Sequence, residues 1–194
     1  MRQAAAPSWG KRALLTLASA FLLYQSIRLT PQFPNVAGAG WPLTLLIGWG
    51  YGLFVTGIFA FAGFAYPTQR LLPAAYYRVR RPDVLRRWYR RLGVSWFRGA
   101  LLATLWRGKE QSGRYFNGRR DDLHHLRVQS EKSEFGHLLP LIVVTGVAVW
   151  LLARGAVRLA VVMQAVNVVG NFYPIVLQRY HRQRLDRIGR LAGR

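Results

Sequence analysis

Apolar residues along this chain gather into four long runs, Ala13 to Leu29, Trp41 to Tyr66, Phe135 to Leu152 and Ala156 to Leu177, with the charged residues crowded between and around them. About 20 apolar residues in helical form cross ~30 Å of hydrocarbon, so each run predicts a transmembrane helix. The first is the weakest, because Tyr24, Gln25, Ser26 and Arg28 occupy its end. Its basic start and the Ala37-Gly38-Ala39 site also resemble a cleaved signal peptide, although that site lies far from the apolar run. In the second run Trp41, Trp49, Tyr51 and Tyr66 read as interfacial anchors. Its glycines, Gly48, Gly50, Gly52, Gly57 and Gly63, permit close helix approach, and Pro67 ends it.

The segment between the second and third runs has a different pattern. From Pro82, Leu85, Trp88, Leu92 and Trp96 recur at spacings of three and four, and Arg86, Arg87, Arg90 and Arg91 take the opposite face. A basic face against a Trp/Leu face predicts a helix lying in the headgroup plane, although a surface helix on a soluble subdomain has the same periodicity. Val94 to Trp106 is apolar apart from Arg98 but too short to cross. Lys109 to Arg127, with Gly113, Asn117-Gly118 and Asp121-Asp122, reads as a loop. Ser130 is placed to cap the third helix, with Glu131 in its first turn. The expected architecture is all-α: one membrane domain with spans at about 13–29, 41–66, 135–152 and 156–177, and an amphipathic helix within a cytoplasmic interfacial segment, 67–132.

Charge supplies the orientation. The 194 residues are 52% hydrophobic and carry a formal net charge of +21. The basic residues are segregated from the apolar runs, which argues against a nucleic-acid partner and for a membrane protein surrounded by lipid. Of 28 Arg and Lys, sixteen lie between Tyr66 and Glu134 and six follow Leu177, whereas only Arg28, at the end of the first run, marks the connection to the second, and only Arg154 and Arg158 mark the turn at the junction of the last two. Positive residues stay on the cytoplasmic side. The expectation is a multi-pass protein of the cell (inner) membrane with both termini cytoplasmic. There is no cysteine, hence no disulfide, thiolate nucleophile or thiolate metal ligand.

Two polar sets interrupt the apolar runs. Glu134 and His137 stand where charge gives way to an uncharged stretch, Leu138 to Leu152. The three-residue spacing puts carboxylate and imidazole on one helix face, an arrangement suited to a general base at the membrane surface. Separately, they read as a helix-start carboxylate and an interfacial side chain. Gln164, Asn167, Asn171 and Gln178 share one face of the fourth helix, and such a face usually makes interhelical hydrogen bonds. Asn171, roughly 10 Å from Leu177 along the helix at about 1.5 Å per residue, could face the zone His137 occupies. The string Gln178-Arg179-Tyr180-His181-Arg182-Gln183-Arg184-Leu185 fits both a positive-inside flank and a phosphate cradle. A bundle di-iron site requires two Glu-x-x-His motifs and further carboxylates, and this chain has one motif and four histidines.

Glu134-x-x-His137, a span, a short turn and a second span ending Asn171…Gln178-Arg179-Tyr180-x-Arg182-x-Arg184-Leu185 resembles the glycosyl-diaponeurosporenoate acyltransferase family, best from about Trp88 to Leu185. Where that family's Tyr-Asn-Arg is expected, this chain has Tyr180-His181-Arg182. The resemblance implies transfer of a fatty acyl group to the sugar of a glycosylated carotenoid, or a related glycolipid. The donor would be an acyl thioester, acyl-CoA or acyl carrier protein, with no bound cofactor. On that reading His137 is the general base and Glu134 orients it. Asn171, Gln178 and Tyr180 meet the oxyanion or substrate, and Arg179, Arg182 and Arg184 hold donor phosphates. The contrasting reading is a non-catalytic scaffold or lipid-binding protein of a pigment or envelope pathway.

The charge distribution generates a direct test. Cysteines introduced at Asn35 and Gly155 should react with an impermeant thiol reagent added outside intact cells, and one at Gly118 should not. Labelling at Gly118 would invert the assigned topology.

Overall fold

The computed structural model describes residues 7–104 and 120–191, and all the regular structure among them is helical. Its helices are α1 (Trp9–Leu29), α2 (Trp41–Ala65), the single-turn α3 (Ala74–Tyr77), α4 (Pro82–Arg91), α5 (Val94–Thr104), α6 (Arg120–Ala153), α7 (Val157–Asn167) and α8 (Tyr173–Leu191). A 3₁₀ segment, Thr30–Val36, follows α1, and a π turn, Val168–Phe172, joins α7 to α8. Among the described residues, four stretches are long and apolar enough to cross a membrane: Trp9–Val36, Trp41–Ala65, Leu123–Ala153 and Val157–Gly189.

The chain divides into two compact units. The apolar one comprises Ala4–Thr68, so far as this is described, and Phe135–Phe172. In it α1 packs on α2 and α2 on α7, around a core that includes Tyr51, Val55, Val144, Leu151, Leu159 and Met163. Small residues set the α2–α7 approach. A Cβ on Gly48 would lie 2.7 Å from Cγ1 of Val162, and one on Gly52 would lie 3.2 Å from Cγ1 of Val166. Gly57 makes the corresponding approach to Leu22 of α1. Gly50 faces open space, so close packing explains some of the glycines in this helix and not all of them. Leu14, Leu17, Phe21, Leu45, Leu46 and Leu53 point outward. An apolar exterior of this kind is costly in water and natural in lipid. Gly155, at φ +75°, closes α6: Ala156 N–H bonds to Leu151 O and Gly155 N–H to Leu152 O, the paired bonds of a glycine C-cap.

The second unit comprises Gln69–Glu134 and Tyr173–Arg194, so far as these are described, and is the polar one. Here α4 and α5 pack on α8. Tyr173 donates from its hydroxyl to Leu92 O at 2.8 Å, and its ring stacks on Phe97.

Three expectations change. The third apolar helix begins at Arg120, so Arg120–Arg127 is helix rather than loop, and Ser130 lies inside the helix rather than at its cap. The reason is tertiary, because this segment has polar partners on α8. The rest of the expected loop, 109–119, lies outside the described residues. The amphipathic segment is two helices broken at Gly93, whose φ of +63° suits glycine. Within it, Tyr89 and Val94 are buried, while Trp88 and Trp96 are 55% and 85% exposed. The fourth run is likewise not one uninterrupted α-helix, since the π turn divides it.

The α2–α7 contact predicts that Gly48→Leu destabilises by about 1–3 kcal/mol, because Val162 is short, stiff and packed beside backbone atoms. Gly50→Leu should be close to neutral. Thermal unfolding in detergent, with both variants measured beside the wild type, checks the pair. Equal losses would mean that α2 and α7 do not pack in this register.

Candidate active site

In the polar unit, α6 and α8 carry complementary polar positions at three- and four-residue intervals, so the same helix faces meet over several turns. Arg127 Nη1 donates to Asp186 Oδ1 at 2.8 Å. Ser130 Oγ donates to Gln178 O at 3.1 Å and accepts from Arg182 Nη1 at 3.1 Å. Ser133 Oγ accepts from Gln178 Nε2 at 3.1 Å.

At the end of this row is Glu134, fully buried at 0% exposure. Its Oε1 accepts from Arg179 Nε at 2.8 Å, and its Oε2 from Arg182 Nη2. Arg182 is itself 1% exposed and also donates from Nε to Tyr77 O at 3.3 Å. Two aromatic rings complete the enclosure. Arg179 Cζ lies 5.0 Å from the Tyr76 ring centre, and Arg182 Cζ 5.6 Å from that of Tyr77. Burial, reinforced by the Glu134 charge, pushes the Tyr77 phenol up to about 12, and its hydroxyl is buried without a hydrogen-bond partner among the described residues.

The apolar unit holds His137 in a separate hydrogen-bonded series whose sense can be derived from one end. The Leu141 carbonyl can only accept, so the Asn167 group 3.0 Å from it is Nδ2. Asn167 Oδ1 then faces Asn171 and accepts from its Nδ2 at 2.9 Å. Asn171 Oδ1, thereby oriented, lies 3.1 Å from His137 Nδ1 and 3.1 Å from Thr56 Oγ1. A carbonyl oxygen can only accept, so His137 Nδ1 is a donor to Asn171 Oδ1. The Gly170 carbonyl is a further acceptor beside the ring. Thr145 and Gln164 support the series, with Thr145 Oγ1 accepting from Asn167 Nδ2 at 3.1 Å and donating to Gln164 Oε1 at 3.3 Å. Pro140 lacks an N–H, which leaves the Gly136 carbonyl, next to His137, without its helical donor.

The expected site residues therefore fall into distinct sets. Glu134, Arg179, Arg182 and Gln178 come together in the polar unit. His137 and Asn171 come together in the apolar one, where the imidazole's partner is Asn171 and not a carboxylate. Asn171 uses both lone pairs of Oδ1 on Thr56 and His137, which makes it an orienting group for the ring. Tyr180 stacks on Tyr89 with ring centres 4.1 Å apart, and Arg184 is exposed on α8. Of the other histidines, His124 and His125 are exposed and His181 is half-buried. Sequence reasoning missed Tyr76, Tyr77 and Tyr89 altogether, as well as Thr56. The aromatic pair Tyr76-Tyr77 ahead of a basic helix was the one available signal, but its partner Arg182 lies 105 positions away.

The family model described as glycosyl-4,4'-diaponeurosporenoate acyltransferase matches residues 73–190 of this chain. No curated protein and no solved structure matches.

The buried carboxylate sets a stability test. Arg182→Ala leaves Glu134 Oε2 buried without its donor, although Arg179 still balances the charge, and should cost about 3 kcal/mol. Arg179→Ala should cost less, since Arg179 is 35% exposed and water can replace it. The Glu134→Gln/Arg182→Met double variant should be less destabilised than the sum of its single changes. Additive losses in thermal unfolding would show that the pair is not energetically coupled.

Proposed function

The chain belongs to the glycosyl-4,4'-diaponeurosporenoate acyltransferase family, and from that premise we propose that it moves a fatty acyl group from a thioester donor to a sugar hydroxyl of a glycosylated carotenoid, with His137 as general base. The family makes the chain an acyltransferase acting on a glycosylated carotenoid.

One observation carries the assignment of the base. The series from Leu141 through Asn167 and Asn171 makes Nδ1 the donor, so the neutral imidazole presents its lone pair at Nε2. A sugar hydroxyl is a poor nucleophile until its proton is removed during attack. His137 Nε2 takes that proton as the hydroxyl oxygen attacks the thioester carbonyl. The C–O bond forms, the tetrahedral oxyanion collapses, the C–S bond breaks, and the proton passes from the imidazolium to the departing thiolate. Asn171 supports the transient positive charge, since its Oδ1 continues to accept from Nδ1–H. This is the part a carboxylate takes in hydrolase triads. It is an amide's weaker version, compatible with an apolar surrounding where a charge would be costly.

Glu134 then acts through the arginines it holds. Its two guanidinium partners fix α8 against α6, which keeps Tyr180 and Arg184 in place. Arg184, exposed on α8, is the member of the basic string open to a donor's phosphates, and Gln178 is committed to Ser133. Trp88 and Trp96, exposed on α4 and α5, suit insertion among lipid headgroups on the cytoplasmic side, where acyl thioesters are available.

Purified His137→Ala should lose transfer, by about 10²–10⁴-fold if general-base assistance is what it supplies. His137→Gln should not restore it, because an amide accepts no proton. Asn171→Ala should give a smaller loss, mainly in kcat. Turnover measured beside thermal stability decides the matter. A folded His137→Ala protein with near-normal turnover would remove the imidazole from the mechanism while leaving the family membership intact.

A further inference from the structure

Within the polar unit, α4 and α8 line an open groove of about 560 Å³ whose α4 arginines the foregoing chemistry does not use. Its lining is Asp83, Arg86, Arg87, Tyr89, Arg90 and Tyr180. The size falls within the ~300–1,000 Å³ of small-molecule sites. Three arginines from two successive turns of one helix meet a single carboxylate, and that carboxylate is committed: Asp83 Oδ1 accepts from Arg86 Nη2 at 2.6 Å. Arg87 and Arg90 have no acidic partner among the described residues. Both are exposed, in contrast to Arg182, whose guanidinium is enclosed and already engaged with Glu134, Ser130 and Tyr77.

The wall between these cations is aromatic. Tyr89 and Tyr180 stack at 4.1 Å with their planes 18° apart, and Arg98 and Arg184 add further positive charge around the Tyr89 hydroxyl. Exposed cations lining the same groove as a tyrosine pair suit a ligand with several phosphate oxygens and a flat, polarisable ring. Guanidinium forks bind the former in pairs, and an aromatic face accepts the latter. A lipid headgroup supplies the phosphate but not the ring.

We propose that this groove binds the nucleotide end of a coenzyme A thioester, with Arg87 and Arg90 on its phosphates and the Tyr89–Tyr180 pair beside its base. This rests on the acyl-transfer reading for the need of a thioester donor, and it adds the arginines of α4 to Arg184 of α8 in donor recognition.

The test measures binding rather than turnover, so that its failure differs from failure of the acyl-transfer reading. The full chain in nanodiscs of neutral lipid is titrated with coenzyme A and with adenosine 3',5'-bisphosphate. Both should bind, and Arg87→Gln/Arg90→Gln should bind both at least tenfold more weakly while melting like the wild type. His137→Ala should bind them normally. Tyr180→Leu should weaken both nucleotides and leave inorganic pyrophosphate unaffected. A second arm follows the double variant's flotation with vesicles containing anionic lipid. If neither nucleotide binds and flotation alone depends on Arg87 and Arg90, the groove is a headgroup patch and the proposal is wrong. Nucleotide binding that is unchanged in the double variant also overturns it. Acyl transfer from a carrier protein without any nucleotide binding would overturn the groove assignment and spare the reaction class.

Discussion

A carboxylate with no exposure to water must be matched by cations or it will not stay ionised, and at Glu134 that requirement organises the polar unit. One arginine would neutralise the charge but leave an oxygen without a partner. Two arginines, one turn apart on α8, give each oxygen its own donor. The cluster then carries one excess positive charge, which the faces of Tyr76 and Tyr77 partly offset. Arg182 passes the constraint outward through the Tyr77 carbonyl and the Ser130 hydroxyl. In this way α3, α6 and α8 are all held by groups that meet at one acid. Removing a partner from such a set is costly, whereas its net worth over a packed apolar equivalent is small. What the set contributes chiefly is register, since only one alignment of α6 on α8 lets Arg127, Ser130, Ser133 and Glu134 all find their partners.

The apolar unit faces the opposite difficulty, which is to keep polar groups among hydrocarbon without charge. Its answer is a closed series in which each amide has a donor on one side and an acceptor on the other. In a medium without competing water an unpaired amide is expensive, so the orientation of each group is dictated by its neighbour. The sense begins at a backbone carbonyl and ends at the imidazole. Asn171 sits in the π turn, Val168–Phe172, where a wider helical turn changes the angular step between successive side chains. Turns of this type recur at functional sites. The same series that satisfies the buried amides thereby sets the ring nitrogen that donates to Asn171.

Much of this was legible in the residue order. The four apolar runs correspond to four membrane-length helical stretches because helix length and apolar content are local properties. The shared face of Gln164, Asn167 and Asn171 follows from spacing alone, and these side chains do bond across helices. Gly48, Gly52 and Gly57 mark close approaches, as small residues in a membrane helix suggest. Local reading failed from Arg120 to Ser130. Its turn-forming residues suggested a loop, but partners on α8 some fifty positions away hold it as helix.

The choice of partners lay beyond the sequence, and the reason is combinatorial. With 28 basic and seven acidic residues, most arginines have no acid to meet, and nothing in a run such as Arg179-Tyr180-His181-Arg182 says which will be buried. Glu134 and His137, three apart on one helix, could have been partners. Instead, tertiary packing gave the carboxylate to two guanidinia and the imidazole to an asparagine. Periodicity by itself determined which residues share a helix face and which faces are apolar, because those depend only on the helical repeat. Which faces meet, and therefore which arginines are enclosed and which remain open to a ligand, was decided by long-range packing, because the cost of a buried charge is set by groups that come close only in the folded chain.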